Sequence, residues 1–196
     1  MKFEMEFLHA LKGLHGPVQD RIMLFITRLG DNGFVWFLLC GILILLPPMK
    51  KVFNKDFECS DEYMEKVAKR RQMGCAILVV NFMTALICDY ILQLAVGRAR
   101  PFYVDSSFFV NTNELVVMLP SKTSFPSGHA AGAFASAFSV FFINKKAGFF
   151  VFILACLIAF SRMYFYLHYP TDILGGFIVG FICAKVAYFF GEEMAR

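Results

Sequence analysis

Three short polar segments interrupt a strongly apolar chain, and they hold the side chains that could do chemistry. They cover residues 93–101, 124–129 and 161–172. Each places arginine, histidine or backbone amides at the edge of a hydrophobic run. Arginine forks and amides bind phosphate oxygens, and a neutral imidazole can attack phosphorus. Together the segments indicate a site that binds a phosphate group at a membrane surface and attacks it.

The second segment contains Pro-Ser-Gly-His at residues 126–129 and predicts the start of a membrane helix. Free amides at a helix start form an anion site. Gly128 would let an oxyanion approach the backbone, and Ser127 can cap the helix and donate its hydroxyl hydrogen. His129 is expected one residue further in, at the membrane interface.

The third segment supplies a candidate nucleophile, His168. An imidazole attacks phosphorus when it is neutral and correctly oriented, and a carboxylate on its other nitrogen provides the orientation. Asp172 can do this, because Pro170 is expected to begin a helix whose first turn contains Asp172. Arg162 offers a planar fork for phosphoryl oxygens. In the first segment Arg100 offers a second fork.

The order of these motifs resembles the signature of the type 2 phosphatidic acid phosphatase superfamily, the integral membrane lipid phosphatases. The resemblance covers residues from about 93 to 176 and rests on arginine-proline, proline-serine-glycine-histidine, and serine-arginine with a spaced histidine and aspartate. It implies a transmembrane helix bundle that hydrolyses a lipid phosphate. It implies no metal ion or other cofactor, and the chain has no carboxylate cluster suited to one.

The resemblance also implies a role for each matching residue. His168 would form a phosphohistidine, Asp172 would orient it, and His129 would protonate the leaving oxygen before water cleaves the intermediate. Each well-placed phosphate donor can contribute roughly 10² to 10³ in rate. The implied phosphate-binding residues are Arg100, Ser127, Gly128, His129 and Arg162.

One position departs from the family pattern. The first motif usually begins with lysine, and that place is taken by Gln93, whose amide can still bind phosphate but carries no charge. Arg98 is additional to the pattern and could compensate electrostatically. Asp89, one turn before Gln93, is costly inside a membrane. We hypothesise that Asp89 pairs with Arg98 or Arg100, or else forms a structural hydrogen bond to a neighbouring span.

The composition indicates a single all-α, polytopic transmembrane domain covering residues 1–196. The chain is 58% hydrophobic and 17% charged, which exceeds the hydrophobic share of ordinary soluble domains. About 20 apolar residues cross a bilayer as a helix. Five apolar runs predict about five spans in residues 31–196, and these runs cover residues 32–49, 72–88, 123–144, 147–161 and 173–191.

The first 30 residues differ, because charged and apolar side chains interleave there. This pattern predicts amphipathic helices at the membrane interface, broken near Pro17. A sixth span over residues 17–29 is the alternative. Seven basic residues between residues 49 and 72, with Lys145 and Lys146, place those loops in the cytoplasm by the positive-inside rule. The three polar segments then share the extracytoplasmic face of the cell membrane.

We therefore expect metal-independent dephosphorylation of a membrane lipid phosphate or diphosphate through a phosphohistidine. Short members of the resembled family with an outward site often act on undecaprenyl diphosphate, which makes that lipid the leading candidate. Phosphatidylglycerol phosphate, phosphatidate and a lipid A phosphate are alternatives, as are lipid phosphotransfer and a catalytically weak relative that binds lipid. The expected partners are the lipid substrate and the bilayer, with no nucleic acid; the sequence does not indicate an oligomeric state.

Overall fold

Helices build the described part of the chain. The structure, a computed structural model, describes residues 2–53, 60–105, 107 and 123–194, with the backbone alone at 47–53 and 192–194. Within these ranges the chain forms no strand beyond one isolated β-bridge, between Ala99 and Thr123. The helices are α1 (Lys2–Leu11), α2 (Pro17–Leu29), α3 (Phe34–Phe53), α4 (Asp61–Val96), α5 (Pro101–Val104), α6 (Gly128–Ile143), α7 (Lys145–Tyr164) and α8 (Pro170–Met194).

The predicted all-α transmembrane helix bundle is confirmed. Among the described residues, three helices are long and apolar enough to cross a membrane, namely α4, α7 and α8 as far as Gly191. Helix α2 and the first part of α3 pass the same test together, as a pair bent by 54°. Helix α6 is apolar but has 16 residues. The five predicted runs thus lie on α3, α4, α6, α7 and α8, and the alternative sixth span corresponds to α2.

The first 30 residues form two helices, as their sequence predicts, and Pro17 is the first residue of the second. Helix α1 buries Leu8 and Leu11 in a cluster with Tyr164 and Tyr169 from the ends of the third polar segment. The first helix is therefore packed on the part of the chain that carries the candidate nucleophile. Its location at a membrane interface stays a prediction.

Side-chain caps fix where three helices begin. Ser60, Ser127 and Asn144 each accept a hydrogen bond from the backbone N–H three residues later, at 3.1–3.3 Å. Such a cap satisfies one of the amides that a helix start leaves without a partner, and it typically contributes about 1 kcal/mol. The polar residue before each apolar run therefore determines where the run becomes helical.

Helix α6 lies at the centre of the bundle and packs against α4, α7 and α8. Its inward positions are small, and its alanines at 130, 131, 133, 135 and 137 are fully buried. Small residues let the α8 backbone approach closely. A Cβ added at Gly176 would lie 2.8 Å from the Ser127 carbonyl oxygen, and one at Gly180 would lie 2.7 Å from the Ala131 carbonyl oxygen.

Helix α4 contains a π-helical segment, Leu86–Leu92, just before its end. Such segments insert extra residues into the helix and often occur at functional sites. This one carries Asp89 to the start of α6, where a Cβ added at Gly128 would lie 2.7 Å from Asp89 Oδ1. The π segment therefore brings a carboxylate against the helix start that the sequence identified as an anion site.

We predict that Gly180→Ala lowers the melting temperature of the detergent-purified protein. The added methyl group would overlap the α6 backbone, and overpacking a tight interface costs about 1–3 kcal/mol. Gly191→Ala is the matched control on the same helix, because a Cβ there meets nothing within 4 Å. Equal melting of the two variants in a thermal unfolding scan would contradict the close contact between α6 and α8.

Candidate functional site

The three polar segments lie together at one end of the bundle. The first follows α4, the second precedes α6, and the third connects α7 to α8. Main-chain hydrogen bonds join them, since Ser124 N–H donates to the Arg98 carbonyl at 2.8 Å and Ser127 N–H donates to the Asp172 carbonyl at 3.1 Å. The backbone itself thus fixes the relative positions of the segments.

His168 lies at the centre of this cluster, with 2% of its surface exposed. Arg100 Nη1 lies 2.9 Å from His168 Nε2, and the Ser124 carbonyl oxygen lies 2.8 Å from Nδ1. A guanidinium only donates and a carbonyl only accepts. The imidazole hydrogen is therefore on Nδ1, and Nε2 carries an unprotonated lone pair directed at Arg100.

Asp172 is placed differently from the prediction. Its Oδ2 lies 3.6 Å from His168 Nδ1, too far for a hydrogen bond, and accepts instead from the Tyr169 backbone N–H at 2.8 Å. The Ser124 carbonyl takes the orienting position that the sequence had assigned to the carboxylate. Asp172 is fully buried, so its negative charge still acts on the imidazole at this distance.

Burial sets the protonation states of the central pair. It lowers the pKa of His168 to about 3, against the opposing influence of Asp172 and with help from the positive charge of Arg100. It also lowers the pKa of Arg100 to about 10, although nearby Asp172 favours the charged guanidinium. At neutral pH the imidazole is neutral and Arg100 is positive. This is the state in which a histidine is nucleophilic.

Arg162 supplies a second buried guanidinium, with 3% of its surface exposed. Its Nη1 donates to Thr27 Oγ1 on α2 at 2.7 Å, which fixes the plane of the fork. Its Nε is buried and has no hydrogen-bond partner among the described residues. A buried donor without a partner is costly. A bound phosphoryl oxygen would remove that cost.

The start of α6 is arranged to bind an anion. Ser127 Oγ accepts a hydrogen bond from the Ala130 N–H, and the Ser127 N–H donates one to the Asp172 backbone carbonyl. Helix geometry leaves the amides of Gly128 and His129 without an acceptor inside the helix. The helix dipole adds positive potential at the same place. These two amides can therefore bind phosphoryl oxygens, as the sequence predicted for this segment.

His129 contacts a residue that the sequence analysis did not identify. Its Nε2 lies 3.0 Å from Asp31 Oδ1, in the turn between α2 and α3. Gly30 packs on the ring, since a Cβ there would lie 2.9 Å from His129 Cδ2. The bend between α2 and α3 thus forms one wall of the site.

Arg98 does not face the phosphate-binding groups. It donates to Asp172 Oδ1 and Glu4 Oε2, each at 2.8 Å, and its guanidinium carbon lies 3.8 Å from the centre of the Tyr169 ring. The hypothesis that Arg98 pairs with Asp89 is therefore wrong. Arg98 connects the buried carboxylate of the third segment to helix α1, and its electrostatic compensation for the missing lysine stays a prediction.

Glu4 completes this connection. Both Thr171 and Arg98 donate hydrogen bonds to its carboxylate. Burial raises the pKa of Glu4, but these hydrogen bonds outweigh it and hold that pKa below its ordinary value. Glu4 is therefore ionised at neutral pH, and α1 contributes a negative charge behind Asp172.

Gln93 lies beside the second segment. Its Nε2 donates to the Pro126 carbonyl at 3.3 Å and to Asp89 Oδ1 at 3.1 Å, while Thr123 donates to its Oε1. Asp89 thus bonds within its own helix to Gln93 rather than to a neighbouring span, and the positive charge of Arg100 also acts on it. The amide at the family's lysine position braces the loop before α6 and the carboxylate beside it.

A cavity of about 620 Å³ opens from the site between α3, α4 and α6. Asp89, Gly128 and His129 line its polar end. Trp36, Phe37, Leu78 and Phe82 contribute apolar side chains to the rest of the lining, which also includes the polar residues Asn32, Asn81 and Thr84. A ligand with a charged head and a hydrocarbon tail matches this distribution of polarity.

Metal ligands are not grouped in this region. Among the described residues no three His, Cys, Asp or Glu side chains are arranged to hold a metal ion.

Sequence analysis found the motif residues but missed four contributors, three of them outside the polar segments and one, Ser124, at the start of the second segment. Thr27 and Asp31 on the α2–α3 wall, Glu4 on α1 and the carbonyl of Ser124 all contact motif side chains. The available signal was weak. Asp31 precedes Asn32 and Gly33, which have positive φ angles of 50° and 71°, so a tight polar turn there could have been suspected.

Known proteins resemble this chain in sequence and in structure. Residues 74–194 match the family model described as the PAP2 superfamily. The chain is 29% identical over 189 residues to undecaprenyl-diphosphatase BcrC of Bacillus subtilis strain 168, covering 95% of this chain and 83% of that protein. It is 24% identical over 179 residues to an undecaprenyl-diphosphatase of Sulfolobus acidocaldarius, covering 91% and 73%.

A solved structure shares the fold. The crystal structure of a transmembrane PAP2-type phosphatidylglycerolphosphate phosphatase from Bacillus subtilis aligns with a TM-score of 0.68 and 23% identity. The alignment covers 100% of this chain and 87% of that one. The helices on which the three polar segments lie are thus arranged as in a membrane enzyme.

We predict that His168 makes stability depend on pH. Its pKa is about 3 in the folded protein and about 6.5 in an unfolded chain. Only the unfolded state therefore takes up this proton between those values, so the stability from neutral His168 is complete above about pH 6.5 and is lost as pH falls toward 3. The loss is about 1.4 kcal/mol for each pH unit.

Thermal melting at pH 7 and pH 5 checks this prediction. His168→Gln should lose less stability than wild type between these pH values, because glutamine does not titrate. His9→Gln is the control, since His9 lies on α1 and is 44% exposed beside Asp105. An equal pH dependence in wild type and His168→Gln would mean that His168 is not held neutral in the fold.

Proposed function

The chain belongs to the PAP2 superfamily and is a lipid phosphatase of that type, and on this premise we propose that its substrate is undecaprenyl diphosphate. It releases inorganic phosphate on the extracytoplasmic side of the membrane, through a phosphohistidine and without a metal ion. One observation carries the proposal: the unprotonated Nε2 of His168 is aimed at Arg100, beside the start of α6.

In the first step His168 Nε2 attacks the terminal phosphorus, and the bond from that phosphorus to the bridging oxygen breaks. The electron pair leaves with the bridging oxygen, which takes a proton from His129. The products are undecaprenyl phosphate and a phosphohistidine. The imidazole becomes positive in this step, and buried Asp172 stabilises that charge while Ser124 holds the Nδ1–H.

In the second step water attacks the phosphorus of the phosphohistidine. His129, neutral after the first step, accepts the proton of that water. The phosphorus–nitrogen bond breaks, and its electron pair returns to Nε2. Inorganic phosphate leaves, and His168 is again neutral. One histidine thus serves as acid and then as base.

The surrounding donors stabilise the charge on the transferred group. Arg100 leaves His168 Nε2 to bind a phosphoryl oxygen, and the unused Nε of Arg162 binds another. The amides of Gly128 and His129 bind the third at the start of α6. Arg162 and the helix start are fixed by the fold before substrate arrives, so among these donors only Arg100 has to exchange a hydrogen bond.

The cavity beside His129 supports a lipid substrate with an apolar tail. Its polar end meets the site, and Trp36, Phe37 and Phe82 line its apolar part. Two relatives that this chain matches over most of its length are undecaprenyl-diphosphatases. The cavity supports a lipid tail of any of these kinds, and the relative with 29% identity supports a polyprenyl diphosphate in particular.

The distribution of basic residues supports the proposed orientation. Lys145 and Lys146 begin α7 at the end opposite the site, and Lys66 and Lys69 lie near the start of α4. Membrane proteins retain such residues on the cytoplasmic side. The site then faces outward. The side chains of Lys50, Lys51 and Lys55, which contribute to the same prediction, lie outside the described residues.

We predict chelator-resistant release of phosphate from undecaprenyl diphosphate by the detergent-purified protein. His168→Ala should abolish it, because no nucleophile remains, and should leave the helical content unchanged. Phosphate would be measured with undecaprenyl diphosphate, undecaprenyl phosphate, phosphatidylglycerol phosphate, phosphatidate and a lipid A phosphate. His9→Ala is the matched control, because His9 lies outside the site.

Each contrary result removes a defined part of the proposal. Wild-type rates in His168→Ala would refute the phosphohistidine. Loss of activity with chelator would refute metal independence, and faster turnover of another lipid would replace the substrate. A phosphorylated lipid product with little free phosphate would indicate phosphotransfer. No activity on any of these lipids, from folded protein, would favour the catalytically weak relative.

We also predict that Gln93→Lys changes phosphate release by about tenfold or less, the order of one donor contact. The lysine would add a positive charge beside Asp89 and the Pro126 carbonyl, which Gln93 now contacts. Gln93→Met is the comparison, since it keeps the length without a donor. Identical rates in all three proteins would place this position outside the phosphate-binding machinery.

A further inference from the structure

The site contains two histidines, and each lies beside a carboxylate on a different element. His168 has Asp172 from α8 at 3.6 Å, and His129 has Asp31 at 3.0 Å. The first pair belongs to the sequence motifs. The second joins a motif residue to the bend between α2 and α3, which the motifs do not include.

We propose that Asp31 is a positioning residue for His129: it orients the imidazole so that Nδ1 faces the leaving oxygen, and its negative charge favours the protonated form that donates there. The inference rests on the proposed function, because it assigns a partner to the proton donor of that reaction. Asp31 accepts from Nε2–H, and Nδ1 makes no hydrogen bond to the described residues. His129 lines the cavity, so Nδ1–H is the donor left for substrate.

The charges around His129 explain why it needs this partner. Burial disfavours a protonated imidazole at His129, and the positive charges of Arg162 on α7 and Arg100 in the first segment add to this effect. Asp31 is the carboxylate at hydrogen-bond distance, and Arg28 on α2 acts on Asp31 in turn. Asp89 of the π segment lines the same cavity at the start of α6. Asp31 thus offsets the arginines that the phosphate requires.

The backbone of the bend holds Asp31 in place. Asn32 and Gly33 adopt positive φ angles of 50° and 71°, and Gly30 packs directly on the His129 ring. Thr27, one turn earlier on α2, accepts from Arg162. The same short stretch therefore holds both the acid and one phosphate-binding arginine, although it precedes the three motifs in sequence.

The Asp31–His129 pair is partly exposed to solvent, so a substitution of Asp31 can change catalysis without changing folding stability. The Asp31 side chain is 52% exposed and that of His129 is 25% exposed. Ion pairs as open as this contribute little to folding stability. Asp31→Asn should therefore fold and melt like wild type, and its effect should appear in catalysis.

The test compares leaving groups. Asp31→Asn should lower kcat/KM for undecaprenyl diphosphate about tenfold, part of the 10²–10⁴-fold that general acid catalysis contributes. With 4-nitrophenyl phosphate, whose leaving group departs without a proton, the loss should be less than about twofold. The alkaline limb of log kcat/KM should also move about one pH unit lower, because protonated His129 has lost its anionic partner.

Two further variants make the result decisive. Asp31→Glu keeps the charge and should restore the wild-type pH limb. Asp20→Asn is the matched control, because Asp20 also lies on the α2 side and pairs with a histidine, His15, at 2.9 Å, but outside the site. It should leave the ratio between the two substrates unchanged.

The outcomes distinguish this inference from the proposed function. If wild type releases phosphate and Asp31→Asn loses activity equally on both substrates with no shift of the pH limb, the positioning role is refuted and the phosphatase assignment stands. If wild type hydrolyses neither substrate, the proposed function fails first. Equal activity of wild type and Asp31→Asn at every pH would also refute the positioning role.

Discussion

Two guanidinium groups buried at one end of an apolar helix bundle are the constraint on which the rest of the site depends. Arg100 and Arg162 expose 3% of their surface each, and burying charge without partners is expensive. The surrounding groups accept hydrogen bonds from both guanidinium groups. Arg100 donates to the Leu167 carbonyl and to neutral His168, and Arg162 donates to Thr27. A site that already holds two desolvated cations favours a ligand with two or more negative charges, which describes a phosphate headgroup.

The carboxylates are arranged around these cations in a second layer. Asp172 and Glu4 form ion pairs with Arg98 close to His168, and Asp31 pairs with His129. Two of these three carboxylates come from the start of the chain: Glu4 lies on α1, and Asp31 lies in the turn that follows α2. The first 31 residues therefore contact motif residues directly, through Glu4, Thr27 and Asp31. Without them His129 would lose its carboxylate partner.

Sequence predicted the bundle and the motif residues because both depend on local patterns. Apolar runs of sufficient length become membrane helices, and Pro-Ser-Gly-His begins one of them in the structure. The partner of each side chain could not be predicted in the same way. The spacing of His168 and Asp172 allows a hydrogen bond, yet the Ser124 carbonyl, 44 residues away in sequence, takes that position. Arg98 likewise pairs with Glu4, 94 residues away. Such contacts depend on the packing of whole helices.

The π-helical segment Leu86–Leu92 has a consequence for how this protein can vary. In an α-helix each residue turns the chain by roughly 100°, so the extra residue of a π turn resets the angular phase between the membrane-spanning part of α4 and its final turn. Deleting one residue here would leave a continuous apolar helix while rotating Gln93 and the Arg100 loop away from α6. A change of length in this stretch would therefore leave membrane insertion unaffected and disrupt the site. The number of residues along α4 is then more strictly constrained than their types.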